Sequence, residues 1–129
     1  MTGSRLFLDS SVWLGYFLGN FPTAREVVDS SETILFTSII SIHEVCKKLR
    51  KMGKTQREAN QSVQFMEDNS VIIHVNKETA IQSAEHCLKH RLHAIDSILY
   101  ASALQADSVF ITADHDFSGL PKARIIEAR

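Results

Sequence analysis

The chain has 129 residues, a formal net charge of -1, 44% hydrophobic and 22% charged residues, the balance of an ordinary globular domain, which excludes a protein that coats nucleic acid by bulk charge. This length makes a single domain, residues 1–129, with a core large enough to bury about two thirds of the unfolded surface. No apolar run approaches the roughly 20 residues of a membrane span and no signal-peptide pattern opens the chain, so the expected setting is cytoplasmic, without a membrane partner. Cys46 and Cys87 fall in helical patterns and are expected to be reduced, buried and inert.

Arg5 to Leu8 is a short apolar run closed by Asp9, and Ser10 and Ser11 offer N-caps for a helix through Val12, Trp13, Leu14, Tyr16, Phe17 and Leu18. Gly19-Asn20 stops that helix, and Pro22 or Thr23 starts a shorter one through Val27 and Val28. Ile34 to Thr37 reads as a second strand. Ser38 caps the next helix, in which Ile39, Ile42, Cys46, Leu49 and Met52 take the apolar side. Gly53 ends it, and Thr55-Gln56-Arg57-Glu58 is a capping box that opens a helix through Ala59, Val63 and Met66. The hairpin from Ser38 to Asn69 is expected to project from the sheet.

Val71 to Val75 is a third strand, followed by a helix capped by Asn76 with Ala80, Ile81, Ala84 and Leu88 as its apolar stripe. His93 to Ala103 is a core helix, because Ile95, Ile98, Leu99, Tyr100 and Ala103 recur at three- and four-residue spacing. Ser108 to Thr112 is a fourth strand, Ala113 to Phe117 a loop, and Arg124 to Ile126 a last edge strand. Strands alternating with helices predict an α/β fold with a parallel sheet covered on both faces.

Four acids stand in comparable places. Asp9 closes the first strand, Asp114 follows the fourth, and Glu44 and Asp96 lie early in helices. Taken singly, Asp96 is an anion favoured by a helix start, and Glu44 is a surface partner for Lys48. Taken together they matter more, because active sites of open parallel sheets lie beyond the carboxyl ends of the strands. At about 5 Å and an effective dielectric near 20, each ionised pair repels by about 3 kcal/mol, so a close cluster either protonates or holds a cation. An all-oxygen donor set favours magnesium or manganese over zinc, and such an ion suits phosphodiester hydrolysis.

Lys47, Lys48, Arg50, Lys51, Lys54 and Arg57 concentrate six cations within eleven residues, either a solvated helix face or a surface that meets phosphates. His86, His90 and His93 would share a face of one continuous helix and bind a transition metal, but the helix is expected to break between Arg91 and Ala94. Trp13, Tyr16, Phe17 and Phe21 are the aromatics nearest the acids in sequence, as core residues or as stacking platforms for a threaded strand. A phospho-acceptor domain would want paired acids after the first strand, where Ser10 and Ser11 stand. Dinucleotide binding would want a Gly-x-Gly-x-x-Gly there.

The motifs Leu8-Asp9-Ser10-Ser11, Ser41-Ile42-His43-Glu44-Val45, Ala94-Ile95-Asp96-Ser97-Ile98-Leu99 and Ile111-Thr112-Ala113-Asp114-His115-Asp116-Phe117 resemble, in order and spacing, the acidic motifs of PIN-domain nucleases, and within them the VapC toxins of toxin-antitoxin pairs. The resemblance implies a three-layer α/β/α sandwich with a central, mostly parallel sheet of four to five strands. It implies a magnesium- or manganese-dependent ribonuclease with Asp9, Glu44, Asp96 and Asp114 as catalytic and metal-binding acids and Asp116 as a further acid of the same motif. Ser11 and Thr112 would be polar supports. It also implies a homodimer, an RNA substrate and a cognate antitoxin, with Lys47, Lys48, Arg50, Lys51 and Lys54 touching the RNA. The expected cleavage is attack by metal-activated water leaving a 5′-phosphate, since no His pair is placed for 2′-OH chemistry. A housekeeping RNA-processing nuclease and a non-catalytic metal- or RNA-binding module share these features.

Overall fold

In β1 (Ser4–Leu8), Leu6 and Leu8 face one side of the sheet and Phe7 the other, the period of two that a strand imposes. The computed structural model describes residues 4–19 and 21–127, so Asn20, expected to help stop the first helix, lies outside the described residues. After β1 come α1 (Ser10–Leu18), α2 (Pro22–Asp29), β2 (Thr33–Ser38), α3 (Ile39–Lys51), α4 (Gln56–Asn69), β3 (Val71–Ile73), α5 (Lys77–His90), α6 (Ala94–Gln105), β4 (Val109–Thr112), a 3-10 turn at His115–Phe117, and β5 (Ala123–Ile125). The strand order is β3-β2-β1-β4-β5 and every pairing is parallel. The fold is the α/β/α sandwich that the sequence predicts, with five strands.

On one face, Leu6, Leu8, Leu35 and Ile111 pack with Val12 and Trp13 of α1, Val28 of α2, Val45 and Leu49 of α3 and Met66 of α4. On the other, Phe7, Phe36 and Phe110 pack with Leu99, Tyr100 and Ala103 of α6 and with Phe117. Close approach matters at Gly15, where the Phe21 ring fills the space a Cβ would occupy. Arg5 donates to the carbonyls of Ala106 and Asp107 at the C-terminal end of α6 and lies 4.7 Å from the Phe36 ring, a cation at the negative end of the helix dipole.

Several sequence expectations are corrected. The cap of α1 is Asp9 itself, whose carboxylate accepts from Ser10 N, so Ser10 is the first helical residue. The buried stripe of α3 is Ser41, Val45 and Leu49, while Ile39 and Met52 are exposed; a small serine permits a close approach that apolar spacing does not signal. The hairpin is packed at its root, with Phe65 of α4 stacked on Tyr16 at 5.3 Å, and only its tip, residues 50–58, is exposed throughout. β3 ends at Ile73, short of Val75. Both cysteines are free and part-exposed rather than buried. In α5 the face is reversed: Thr79 and Ser83 are buried, and Ala80, Ile81, Ala84 and Leu88 face out. Its inward side is held by polar bonds, from Thr79 to Asn76 and Gln105 and from Cys87 Sγ to Leu92 O.

Candidate active site

The site begins at the carboxyl end of β1, where Asp9 is 7% exposed. Its Oδ1 accepts from Ser10 N at 2.9 Å, and its Oδ2 accepts from Ser11 Oγ at 3.0 Å and Thr112 Oγ1 at 2.7 Å. Both hydroxyls are used again: Ser11 Oγ accepts from Ala113 N and Thr112 Oγ1 from Asp114 N, each at 3.0 Å. One carboxylate is thereby tied to the strand on which Asp114 follows. Burial nevertheless pushes the Asp9 carboxyl above its ordinary range, against the pull of these bonds, with Asp114 adding repulsion.

Asp96 lies in the first turn of α6, whose N-cap His93 contributes no side-chain cap bond. Burial, then the charges of Asp9, Asp114 and Glu44, raise its pKa to about 6, with His93 opposing. Glu44 is half-buried on α3. Its pKa is raised by burial and by Asp9, and lowered by the Ser10 side chain, Lys47 and His43. The pairing of Glu44 with Lys48 does not form; the ion pairs among the described residues are His115–Glu127 and Lys122–Asp107. Instead Glu44 Oε1 is buried with no hydrogen-bond partner. Carboxylate oxygens of Asp96, Asp114 and Asp116 lie within 4.8 Å of one another. Asp114 also accepts from Asp116 N at 2.9 Å, which holds the loop after β4 in a tight turn.

The geometry thus draws Asp9, Glu44, Asp96, Asp114 and Asp116 to one edge of the sheet, with Ser11 and Thr112 beneath Asp9. A set of hard oxygens that repel one another, one of them buried and unpartnered, fits a divalent cation such as Mg2+ or Mn2+. Sequence reasoning gives Ser10 only a capping role, yet its side chain faces Glu44; the Ser10-Ser11 doublet after Asp9 is the signal that points to it. Ser41, buried with an unpartnered hydroxyl, carries no such signal.

The basic residues Lys47, Lys48, Arg50, Lys51, Lys54 and Arg57 are all exposed. Trp13 and Phe21 are core residues, and Tyr16 and Phe17 pack against Phe65. His86 and His90 stack at 5.8 Å against Tyr100, while His93 stands beyond the break at Arg91, so the three do not converge.

The acids of this parallel α/β/α sandwich lie beyond the carboxyl ends of its strands, where open parallel sheets carry their binding crevices. The model of the PIN domain matches residues 6–123, and the chain belongs to the PIN-domain family. No curated protein matches the chain. Among solved structures it is similar to a toxin-antitoxin complex from Klebsiella pneumoniae, with 22% identity, a TM-score of 0.79 and coverage of 96% of this chain and 99% of that one. It is similar to VapC20 of Mycobacterium tuberculosis, described as a Sarcin-Ricin loop cleaving toxin, with 19% identity, a TM-score of 0.75 and coverage of 96% and 98%. It is also similar to VapBC2 of Rickettsia felis bound to a fragment of its promoter DNA, with 10% identity, a TM-score of 0.78 and coverage of 97% and 99%. At these identities the likeness is one of fold. Among the described residues, no helix is long and apolar enough to cross a membrane.

Proposed function

We propose that residues 1–129 form a single divalent-metal-dependent endoribonuclease domain, the toxin of a toxin-antitoxin pair, acting as a homodimer in the cytoplasm. The observation that carries this reading is the gathering of Asp9, Glu44, Asp96 and Asp114, where burial and then the neighbouring carboxylates raise Asp96 to about 6 and Glu44 Oε1 is buried without a hydrogen-bond partner. Membership of the PIN family supports it, as do toxin-antitoxin structures of the same fold.

In this reading Asp9, Glu44, Asp96 and Asp114, with Asp116 at the rim, hold Mg2+ or Mn2+. Such an ion supplies polarisation of a phosphoryl oxygen and a lowered pKa for water. Ser11 and Thr112 fix the Asp9 carboxylate so that its orientation costs little at the moment of reaction. Glu44, with its raised pKa, is suited to accept the proton of the attacking water. The exposed cations of α3 and the hairpin tip, Lys47, Lys48, Arg50, Lys51 and Lys54, position RNA through its phosphates without reading its sequence. A cavity of about 310 Å³ between α1 and the hairpin, lined by Tyr16, Phe17, Leu49 and Phe65 and by the polar Lys54, Glu58, Gln61 and Ser62, offers both apolar and polar contacts to a segment of the antitoxin.

The test is incubation of purified, antitoxin-free protein with structured and unstructured RNA in magnesium or manganese, with and without chelator, beside Asp96→Asn. Cleavage that requires the cation and disappears in the variant is expected. A folded sample that neither cleaves nor binds a divalent ion in calorimetry overturns the reading.

A further inference from the structure

Ser41 is fully buried on α3 and its hydroxyl has no hydrogen-bond partner. Every other buried serine among the described residues has its hydroxyl engaged. Ser83, Ser97 and Ser102 donate to carbonyls of the preceding helical turn, at Ala80, Ala94 and Ile98; Ser108 donates to Ala103 O, and Ser38 accepts from Ile40 N. Helix α3 offers Ser41 the same bond to the turn before it, and that bond is not made. An orphaned buried hydroxyl is a cost to the fold, and alanine would fill the position at nearly the same size with a better helix propensity. Packing therefore does not account for this hydroxyl.

Beside it on the helix stands Glu44. The two residues are three apart, neighbours on one surface of a helix with Cβ atoms about 5–6 Å from one another. Helical side chains lean toward the N-terminus, so that of Glu44 reaches back over the turn that carries Ser41. Glu44 Oε1 is itself buried without a partner. The two are complementary, because the hydroxyl has a proton to give and the carboxylate oxygen has only lone pairs to receive it. Oε1 has two of these, so a bond from Ser41 leaves the other for a cation. Closing the bond is a matter of side-chain torsions, since the helix holds both backbones at fixed spacing.

We infer that Ser41 is a positioning residue for Glu44, its hydroxyl bonding Oε1 and aiming the carboxylate at the cation site. This rests on the reading of Glu44 as a holder of the cation, and Ser41 acts only through it. Hydroxyls already serve Asp9 in this way, from Ser11 and Thr112. Outer partners of metal-binding side chains are typically worth about 10- to 100-fold in metal affinity or activity.

The test is calorimetric titration of the full chain with magnesium or manganese beside Ser41→Ala, with thermal melts of both in chelator. The dissociation constant is expected to rise about tenfold in Ser41→Ala, while its melting temperature in chelator stays at or above that of the wild type. In the Glu44→Gln background the same change is expected to move the dissociation constant less than about twofold, because the effect passes through the carboxylate. A Ser41→Ala protein that binds the cation as the wild type does overturns the role of Ser41 and leaves the nuclease reading. An equal loss in the Glu44→Gln background, or a melting temperature below that of the wild type in chelator, assigns the hydroxyl to the fold and overturns that role as well. A wild type that binds neither cation overturns the nuclease reading and the inference together.

Discussion

Thr112 Oγ1 donates a 2.7 Å hydrogen bond to Asp9 Oδ2 across 103 positions of sequence, and accepts one from Asp114 N. A single fully buried hydroxyl therefore joins the acid that ends β1 to the acid that follows β4. Thr112→Val keeps the shape and β propensity but removes the donor and the acceptor. The expected cost is about 1–3 kcal/mol of stability, since a buried carboxylate oxygen and an amide are each left short of a partner, with cleavage reduced by more than the fall in stability explains. Urea unfolding beside an RNA cleavage assay measures both.

The metal-free protein should become less stable as pH rises. Asp96 titrates near 6 when folded, against an ordinary 3.8, so between these values the folded state holds a proton that the unfolded chain has released. Stability is then highest at the acid end of the window, falls from about pH 4 to 6, and stays lower above it. Asp9 and Glu44 are raised in the same direction. Thermal melts in chelator should show this slope, Asp96→Asn should flatten it, and added magnesium should raise the melting temperature more at pH 7 than at pH 5. A flat profile in the wild type would refute the electrostatic account of the cluster.

Glu44→Gln removes one negative charge from the cluster at nearly constant volume. Cleavage should fall about 100-fold or more, while the metal-free fold becomes more stable above pH 6. End-labelling of the wild-type products should show a 5′-phosphate. A 2′,3′-cyclic phosphate would contradict attack by water.

On the basic face of the hairpin, Lys48→Ala combined with Lys51→Ala should weaken RNA binding for all sequences alike. On single strands the slope of log affinity against log salt should shrink by about 0.7 for each phosphate that is no longer neutralised. An unchanged slope would return these lysines to a solvated helix face.

Gly15→Ala sets a methyl group against Phe21, a buried aromatic held by the start of α2. A destabilisation of about 1–3 kcal/mol is expected from overpacking, read as a lower urea midpoint at unchanged slope.

The strands and the acids were legible because their signals are local: short apolar runs, each followed by a carboxylate or a cap, as at Leu8-Asp9 and Thr112-Ala113-Asp114. The periodicity of α5 was also legible, but not its sense. An apolar stripe at helical spacing tells that a face is to be covered, not by what, and in α5 the inner face is held by hydrogen bonds from Thr79 to Gln105 of α6 and from Cys87 to Leu92 just before it. In α3 the stripe is rotated because Ser41, small and buried, takes a place that hydrophobicity awards to Ile42. The serine doublet after Asp9 marks Ser10 as a polar neighbour of the site, but that its side chain meets Glu44 depends on how α1 and α3 lie over the sheet.

The order β3-β2-β1-β4-β5 places the first strand at the centre, beside one made near the other end of the chain. During synthesis β1 can pair with β2 early, yet Asp9 meets Thr112 and Asp114 only after β4 has left the ribosome. Closing so long a loop is an entropic step that local structure cannot anticipate. The acid cluster therefore cannot assemble from β1 and its neighbouring helices alone, and comes into being only once β4 has been made and has closed on β1.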